Sequence, residues 1–315
     1  MAASVVTTAA AVYVGATYST YYREMKLARA RLLADSTVLK TPDGDIEYAV
    51  EGDGPTVLSL HGAGGGYDQG LWAARLAFGS GHRVIAVSRY GYLRSPIPQN
   101  ASIRKQAAVY RDLLDKLGVQ KLIVLGISAG GPSAIEFAND YPERTAALIL
   151  LSAVTQASAT GDKPKFYIGV IHLIQRSDYA YWLVTRLMQP AILNLMGIPA
   201  SAYAGFSPAQ TGLARQMLET MHPMSERYLG TVNDGEMIGR QAVSTDAISA
   251  PTLVLHAKDD ALVSYRHAEH ARAVIRGSRL ILFETGGHGL LSRLQEVRLA
   301  VRQGLNTMPR SAVLP

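Results

Sequence analysis

Past Lys40 the chain alternates short apolar runs, rich in β-branched residues, with stretches in which apolar positions recur every three or four residues. The short runs predict strands at Ile46–Val50, Thr56–Leu60, Arg83–Ser88, Lys121–Gly126, Ala146–Leu151, Thr252–His256 and Ser278–Phe283. Most are continuously apolar, as strands buried on both faces of a parallel sheet must be. Helical periodicity predicts helices at Ile103–Leu117, Pro132–Asp140, Tyr265–Ile275 and Leu290–Thr307, while Asp43-Gly44 and Asp53-Gly54 read as turns. Strands alternating with helices predict an α/β layer fold with a mostly parallel central sheet and helices on both faces. Between about Ala153 and Ser249 the alternation stops. Phe166–Met196 and Gln210–Met221 look helical there and no strand run appears, so this stretch reads as an inserted helical cap.

The first 22 residues carry no charge. As a helix rising 1.5 Å per residue they would reach about 33 Å, the thickness of a bilayer core. Tyr21 and Tyr22 then fall where an interfacial aromatic belt sits, followed by Arg23, Lys26, Arg29 and Arg31. Residues 1–22 are therefore expected to associate with a membrane as an anchor, with the folded part facing the cytoplasm. The alternatives are a soluble cytoplasmic protein in which this segment packs on the domain or is disordered, and a cleaved signal peptide, against which no positive side chain precedes the apolar stretch. Residues 23–42 read as a linker helix.

Composition narrows the chemistry. The 315 residues are 48% hydrophobic and 18% charged, the balance of a folded domain. The absence of cysteine excludes disulfide scaffolds, thiolate metal sites and a cysteine nucleophile. A net charge of +6 comes from scattered basic residues without interleaved aromatics, so nucleic acid is not an expected partner.

Gly126-Ile127-Ser128-Ala129-Gly130 follows a predicted strand and precedes a predicted helix, the pattern of a nucleophile elbow. A serine at so tight a turn needs small neighbours, and the helix that starts there turns N–H groups toward the reacting centre. Serine needs a base and an acid behind it. His288, in Thr285-Gly286-Gly287-His288-Gly289, lies in a glycine-rich loop just past the last predicted strand. His267 and His270, three apart on a predicted helix, read as a solvated face and not as a zinc pair. The acid belongs at a strand end, where Thr252–His256 runs into Asp259 and Asp260; Asp260 is preferred and Asp259 is the fallback. His61-Gly62-Ala63-Gly64-Gly65-Gly66 follows the strand Thr56–Leu60, and the Ala63 and Ala129 N–H groups are the expected oxyanion hole. No Gly-Lys-Ser/Thr follows that loop, which argues against a phosphate loop.

Together these residues resemble the α/β-hydrolase fold superfamily over roughly Asp43 to Met308, in its chain order Ser, Asp, His. The resemblance implies a core of residues 43–154 and 249–315 and a cap of residues 155–248. It implies a cap-bearing, esterase-like serine hydrolase working by two-step acyl transfer without metal or cofactor. Ser128, where haloalkane dehalogenases and epoxide hydrolases carry aspartate, sets those activities aside. Ser88–Ser95 and Asp68-Gln69-Gly70 also resemble family segments and are expected to shape the pocket wall. The cap's apolar stock (Phe166, Tyr167, Ile168, Ile171, Leu173, Tyr179, Tyr181, Trp182, Leu183, Leu187, Met188) points to a small or medium apolar ester as substrate. Two alternatives stand beside it: carbon–carbon bond hydrolysis by the same triad, and a non-catalytic ligand-binding protein. Oligomeric state is not legible.

Overall fold

The computed structural model describes residues 2–157, 172–240 and 243–306. Eight strands form one sheet in the order β1-β2-β4-β3-β5-β6-β7-β8. They are β1 Thr37–Leu39, β2 Ile46–Glu51, β3 Thr56–Leu60, β4 Arg83–Val87, β5 Leu122–Ile127, β6 Thr145–Leu151, β7 Thr252–Ala257 and β8 Arg279–Phe283. The β1–β2 and β2–β4 pairs are antiparallel and every other pair is parallel. Every residue of β5, β6 and β7 is buried, which is why those strands read as unbroken apolar runs.

Alternate residues of the central strands feed two cores, because successive side chains point to opposite faces. On one face Val57, Ile123, Leu125 and Ile149 pack against α2 (Tyr67–Phe78) and α11 (Leu294–Asn306) through Trp72, Leu76, Val297 and Val301. On the other, Leu58, Val124 and Leu148 meet α3 (Ile103–Lys116), α4 (Gly131–Asp140) and α10 (Arg266–Val274). The Ser102 hydroxyl accepts from Lys105 N–H and starts α3. His267 on α10 departs from the expected solvated face. It is buried, and its Nδ1 accepts from Thr155 N–H at 3.2 Å.

Between β6 and β7 lie α5 (Asp178–Leu187), α6 (Gln189–Leu195), α7 (Ala200–Ala204), α8 (Pro208–Glu219) and α9 (Tyr228–Arg240). The cap is joined to the body by Trp72, whose Nε1–H donates to Leu213 O on α8 at 2.8 Å, and by two buried ion pairs described below.

The N-terminal expectation is not supported. Among the described residues no helix is long and apolar enough to cross a membrane. The physical reason lies in the composition of residues 1–22, built largely from Ala, Val, Thr and Ser without a single Leu, Ile or Phe. Of the predicted linker helix 23–42, residues 23–34 are helical as the continuation of one helix, α1, running from Ala2 to Ala34, but Thr37–Leu39 form strand β1. From Tyr21 onward this helix straps the cap to the body. Tyr21 packs on Tyr179 and Trp182, Glu24 accepts Trp182 Nε1–H at 2.6 Å, and Arg29 pairs with Asp178 and Glu226. Met25 and Leu32 are buried, and Leu32 O accepts the Tyr67 hydroxyl at 3.1 Å.

Candidate active site

Parallel register brings the chemistry-bearing loops together. Leu60, the last residue of β3, pairs with Gly126 of β5, and Ala257 of β7 pairs with Phe283 of β8. The four following loops therefore leave the same sheet edge, where α/β folds bind their ligands.

Ser128 sits at the turn between β5 and α4 with φ 52°, the left-handed region that a non-glycine residue rarely adopts. Its glycines are required by close approach. A Cβ on Gly130 would stand 2.2 Å from Leu60 O, and one on Gly126 would stand 2.6 Å from Ala134 Cβ. Ser128 O is held by Val154 N–H at 2.9 Å.

The loop after β8 carries His288, whose Nδ1 lies 2.8 Å from Asp260 Oδ2. Its backbone N–H donates to Met196 O of the cap at 2.7 Å. Of the two adjacent carboxylates, then, Asp260 meets the imidazole. Asp259 instead braces the turn that presents His288, its Oδ1 accepting from both Gly286 N–H and Gly287 N–H at 2.9 Å. Asp260 is saturated with donors. Oδ1 accepts from Leu262 and Val263 N–H, and Oδ2 also faces His256 Nε2 at 3.3 Å. Burial alone would raise the Asp260 carboxyl, but the hydrogen bonds from His256 and His288 and the His288 charge outweigh it and hold it well below the usual carboxylate range. It stays anionic.

The loop after β3 lies against the serine. A Cβ on Gly62 would stand 3.0 Å from Ser128 Cβ and 3.4 Å from Ser128 Oγ. Gly62 N–H donates to Gln69 Oε1 at 2.9 Å, while Gly62 O is 2.6 Å from His61 Nδ1. Ala63 N–H has no partner among the described residues.

Ser128, His288, Gly62 and Ala63 share a cavity of about 250 Å³. Its walls are Trp72, Ile127, Ile192, Leu218 and three methionines, Met196, Met217 and Met221. Of the cap residues singled out in the sequence, Tyr181 reaches this cavity and its hydroxyl donates to Met221 Sδ at 3.2 Å. Trp182 and Tyr179 pack on α1, Leu173, Leu187 and Met188 are exposed, and Leu183 does not line the cavity. Phe166, Tyr167, Ile168 and Ile171 lie outside the described residues. The methionines escaped the sequence reading because only Met217 lies on a cap helix, while Met196 and Met221 sit in the turns that follow α6 and α8, so they share no period; length and flexibility suit them to line a ligand site. Among the described residues no cluster of three or more His, Asp or Glu is placed to hold a metal ion.

Comparison with known proteins agrees with this architecture. Residues 55–292 match a family profile described as alpha/beta hydrolase fold. The chain belongs to that family. It is 31% identical over 255 residues to a protein named "Uncharacterized hydrolase YcgS" of Bacillus subtilis (strain 168), covering 78% of this chain and 88% of that one. It is 26% identical over 270 residues to a 2-hydroxy-6-oxononadienedioate/2-hydroxy-6-oxononatrienedioate hydrolase of Cupriavidus pinatubonensis (strain JMP 134 / LMG 1197), covering 80% and 89%. Among solved structures, an alpha/beta hydrolase fold protein from Nakamurella multipartita superposes with a TM-score of 0.70 at 26% identity, covering 87% of this chain and 99% of that one. The homologues so named are hydrolases.

Proposed function

We propose that the protein is a serine-dependent carboxylesterase acting on short apolar esters through an acyl-enzyme. The observation that carries this reading is the shared small cavity: Ser128 on a strained elbow and His288 on its Asp260 brace open onto the same apolar space. Ser128 Oγ attacks the ester carbonyl carbon while His288 Nε2 takes its proton. Asp260 keeps the ring oriented and balances the imidazolium. The carbonyl oxygen, now negative, receives the Ala63 and Ala129 N–H groups. Collapse expels the alcohol, which takes the proton from His288. Water then attacks the acyl-enzyme by the same route and releases the acid.

Size and polarity support the choice of substrate. About 250 Å³ lies below the roughly 300–1,000 Å³ of sites for drug-sized ligands, so a short acyl chain and a small alcohol fit better than a long lipid. Carbon–carbon bond hydrolysis is a second reading, favoured by the likeness to the dienedioate hydrolase. Against it, no Lys or Arg lines the cavity among the described residues, so the carboxylates of a dioate would enter unpaired.

A fluorophosphonate probe followed by peptide mapping, with p-nitrophenyl acetate, butyrate and decanoate as substrates, tests the proposal. Labelling at Ser128, its loss in Ser128→Ala and faster turnover of the two short esters are expected. A folded protein that neither labels nor turns over these esters overturns it.

A further inference from the structure

Two ion pairs of opposite polarity join one cap segment to the two sides of the loop after β3. On one side Asp234 of α9 binds Arg89, Oδ1 to Nη1 at 2.5 Å and Oδ2 to Nη2 at 2.6 Å. Just before α9, Arg227 binds Asp68 through Nη1 and Nη2 at 2.9 and 2.8 Å. Arg89 and Asp234 are almost wholly buried, and Arg227 is 0% exposed. Such pairs add little to stability compared with apolar residues of similar volume, because desolvating both charges offsets their attraction. Their placement suggests what else they do.

The Arg89 side leads directly into the oxyanion loop. Arg89 Nε–H donates to His61 O at 2.9 Å and Arg89 N–H to His61 Nε2 at 3.0 Å. A backbone N–H only donates, so Nε2 is the accepting nitrogen and the ring proton sits on Nδ1. That proton goes to Gly62 O at 2.6 Å. Burial, reinforced by the Arg89 and Arg227 charges, keeps the imidazole basicity well below its ordinary value, so the neutral tautomer persists. With Gly62 O drawn toward His61, the planar trans peptide turns Ala63 N–H to the opposite edge. On the other side Asp68 precedes Gln69, whose Oε1 holds Gly62 N–H. Tyr92 closes the network: its hydroxyl donates to Asp234 Oδ2 at 2.5 Å, and its ring lies edge-on to His61 and under the Arg89 guanidinium.

We infer that the cap sets the oxyanion hole: Asp234, acting through Arg89 and His61, is a positioning residue that fixes the Gly62–Ala63 peptide with Ala63 N–H aimed at the reacting carbonyl. This rests on the serine-esterase reading above. A helix in the cap, remote from Ser128 in sequence, then decides how well the transition-state charge is received, and removing its carboxylate loosens that donor without touching the serine, the base or the acid.

The test compares the unaltered protein with Asp234→Asn, Asp234→Glu and Tyr92→Phe on p-nitrophenyl acetate, with binding of a methyl trifluoromethyl ketone, which adds to the serine and places an oxyanion in the hole. Asp234→Asn is expected to lower kcat about 100-fold, the scale of a lost oxyanion donor, and ketone affinity by a similar factor, with KM changed less than threefold. Asp234→Glu should recover part of both. Tyr92→Phe removes one hydrogen bond to the same carboxylate and should lower kcat and ketone affinity about fivefold, so it carries the test if Asp234→Asn does not fold. A folded Asp234→Asn, or failing that Tyr92→Phe, with kcat and ketone affinity unchanged overturns the inference, whatever happens to Tm. An unaltered protein that neither hydrolyses the ester nor binds the ketone overturns the esterase reading instead.

Discussion

His256 Nε2 stands 3.3 Å from Asp260 Oδ2, the oxygen that also receives His288 Nδ1 at 2.8 Å. One carboxylate oxygen thus serves two imidazoles, while His256 Nε2 also lies 2.9 Å from Val263 O. Because the Val263 carbonyl only accepts, Nε2 carries the proton and His256 donates toward Asp260.

Replacing that carboxylate by an amide turns an N–H toward one of these donors and favours the wrong His288 tautomer. Asp260→Asn should lower kcat for a short p-nitrophenyl ester by about 10⁴, as loss of the triad acid does elsewhere. Asp259→Asn keeps an oxygen for Gly286 and Gly287 N–H and should cost less than tenfold. Steady-state kinetics on both variants, with circular dichroism to confirm folding, checks the assignment. Equal losses would mean that bracing the turn matters as much as orienting the ring.

His222 makes stability depend on pH. It is buried among Thr185, Tyr181 and the α1 strap, and its Nδ1 has no partner among the described residues. Burial first, then the Arg227 and Arg31 charges, push its pKa down to about 4 against the opposing pull of Asp178 and Glu24. The unfolded chain, with an ordinary value near 6.5, binds this proton more readily. Stability from the neutral ring is therefore complete above about pH 6.5 and is lost as pH falls toward 4. Its size is about 3 kcal/mol at most. Urea unfolding from pH 7.5 to 4 should show a shallower decline for His222→Gln than for the unaltered protein. Parallel curves would remove His222 from the account.

What the sequence made legible follows from which signals are local. β3, β5, β6 and β7 were visible because strands buried on both faces are continuous apolar runs, and the elbow because glycines two positions either side of Ser128 answer to contacts at 2.2 and 2.6 Å. By contrast α2 was missed: its core-facing Ala73, Ala74 and Ala77 give little polarity contrast, so the 3.6-residue period is weak. β1 is three residues long, and α9 carries Gly230, Gly235 and Gly239 within Tyr228–Arg240. Position past the strand end put Asp260 ahead of Asp259 only as a preference; what separates them is folded geometry, Asp260 meeting His288 Nδ1 while Asp259 holds the Gly286–Gly287 turn. The Asp68-Gln69 and Ser88–Ser95 segments were expected to wall the pocket. Gln69 does line the cavity and also holds Gly62 N–H, whereas Asp68 and Arg89 brace the loop after β3 through ion-pair partners 159 and 145 residues away that no pattern in the sequence links. The uncharged N-terminus is a conspicuous local pattern that reads as an anchor, while the second half of the same helix packs on the cap.

Gly130 of the elbow and Gly118, just past α3, separate crowding from backbone strain. Gly130→Ala places a methyl group 2.2 Å from Leu60 O, a backbone atom that cannot swing away, so β3 or α4 must move. Overpacking of this kind typically costs about 1–3 kcal/mol and displaces the loops that meet here. Gly118 has φ +67° but open space where a Cβ would stand, so Gly118→Ala should cost only about 1–2 kcal/mol from its left-handed backbone. Thermal unfolding and turnover together distinguish them: Gly130→Ala is expected to lose activity even where folded, and Gly118→Ala to keep it.

The Arg227–Asp68 pair predicts a non-additive cycle. Arg227 is fully buried, its guanidinium takes both carboxylate oxygens, and one Nη2–H also reaches His222 O at 3.0 Å. Arg227→Met alone leaves Asp68 as a carboxylate with little access to water and no cation, and Asp68→Leu alone leaves a buried guanidinium. Each should cost about 3–5 kcal/mol in urea unfolding. The double variant removes both charges and their desolvation together, so it should be more stable than either single variant, within about 1–2 kcal/mol of the unaltered protein. Simple addition of the two losses would show that the pair does not act as a unit, and that Arg227 stabilises the cap through His222 O and packing alone.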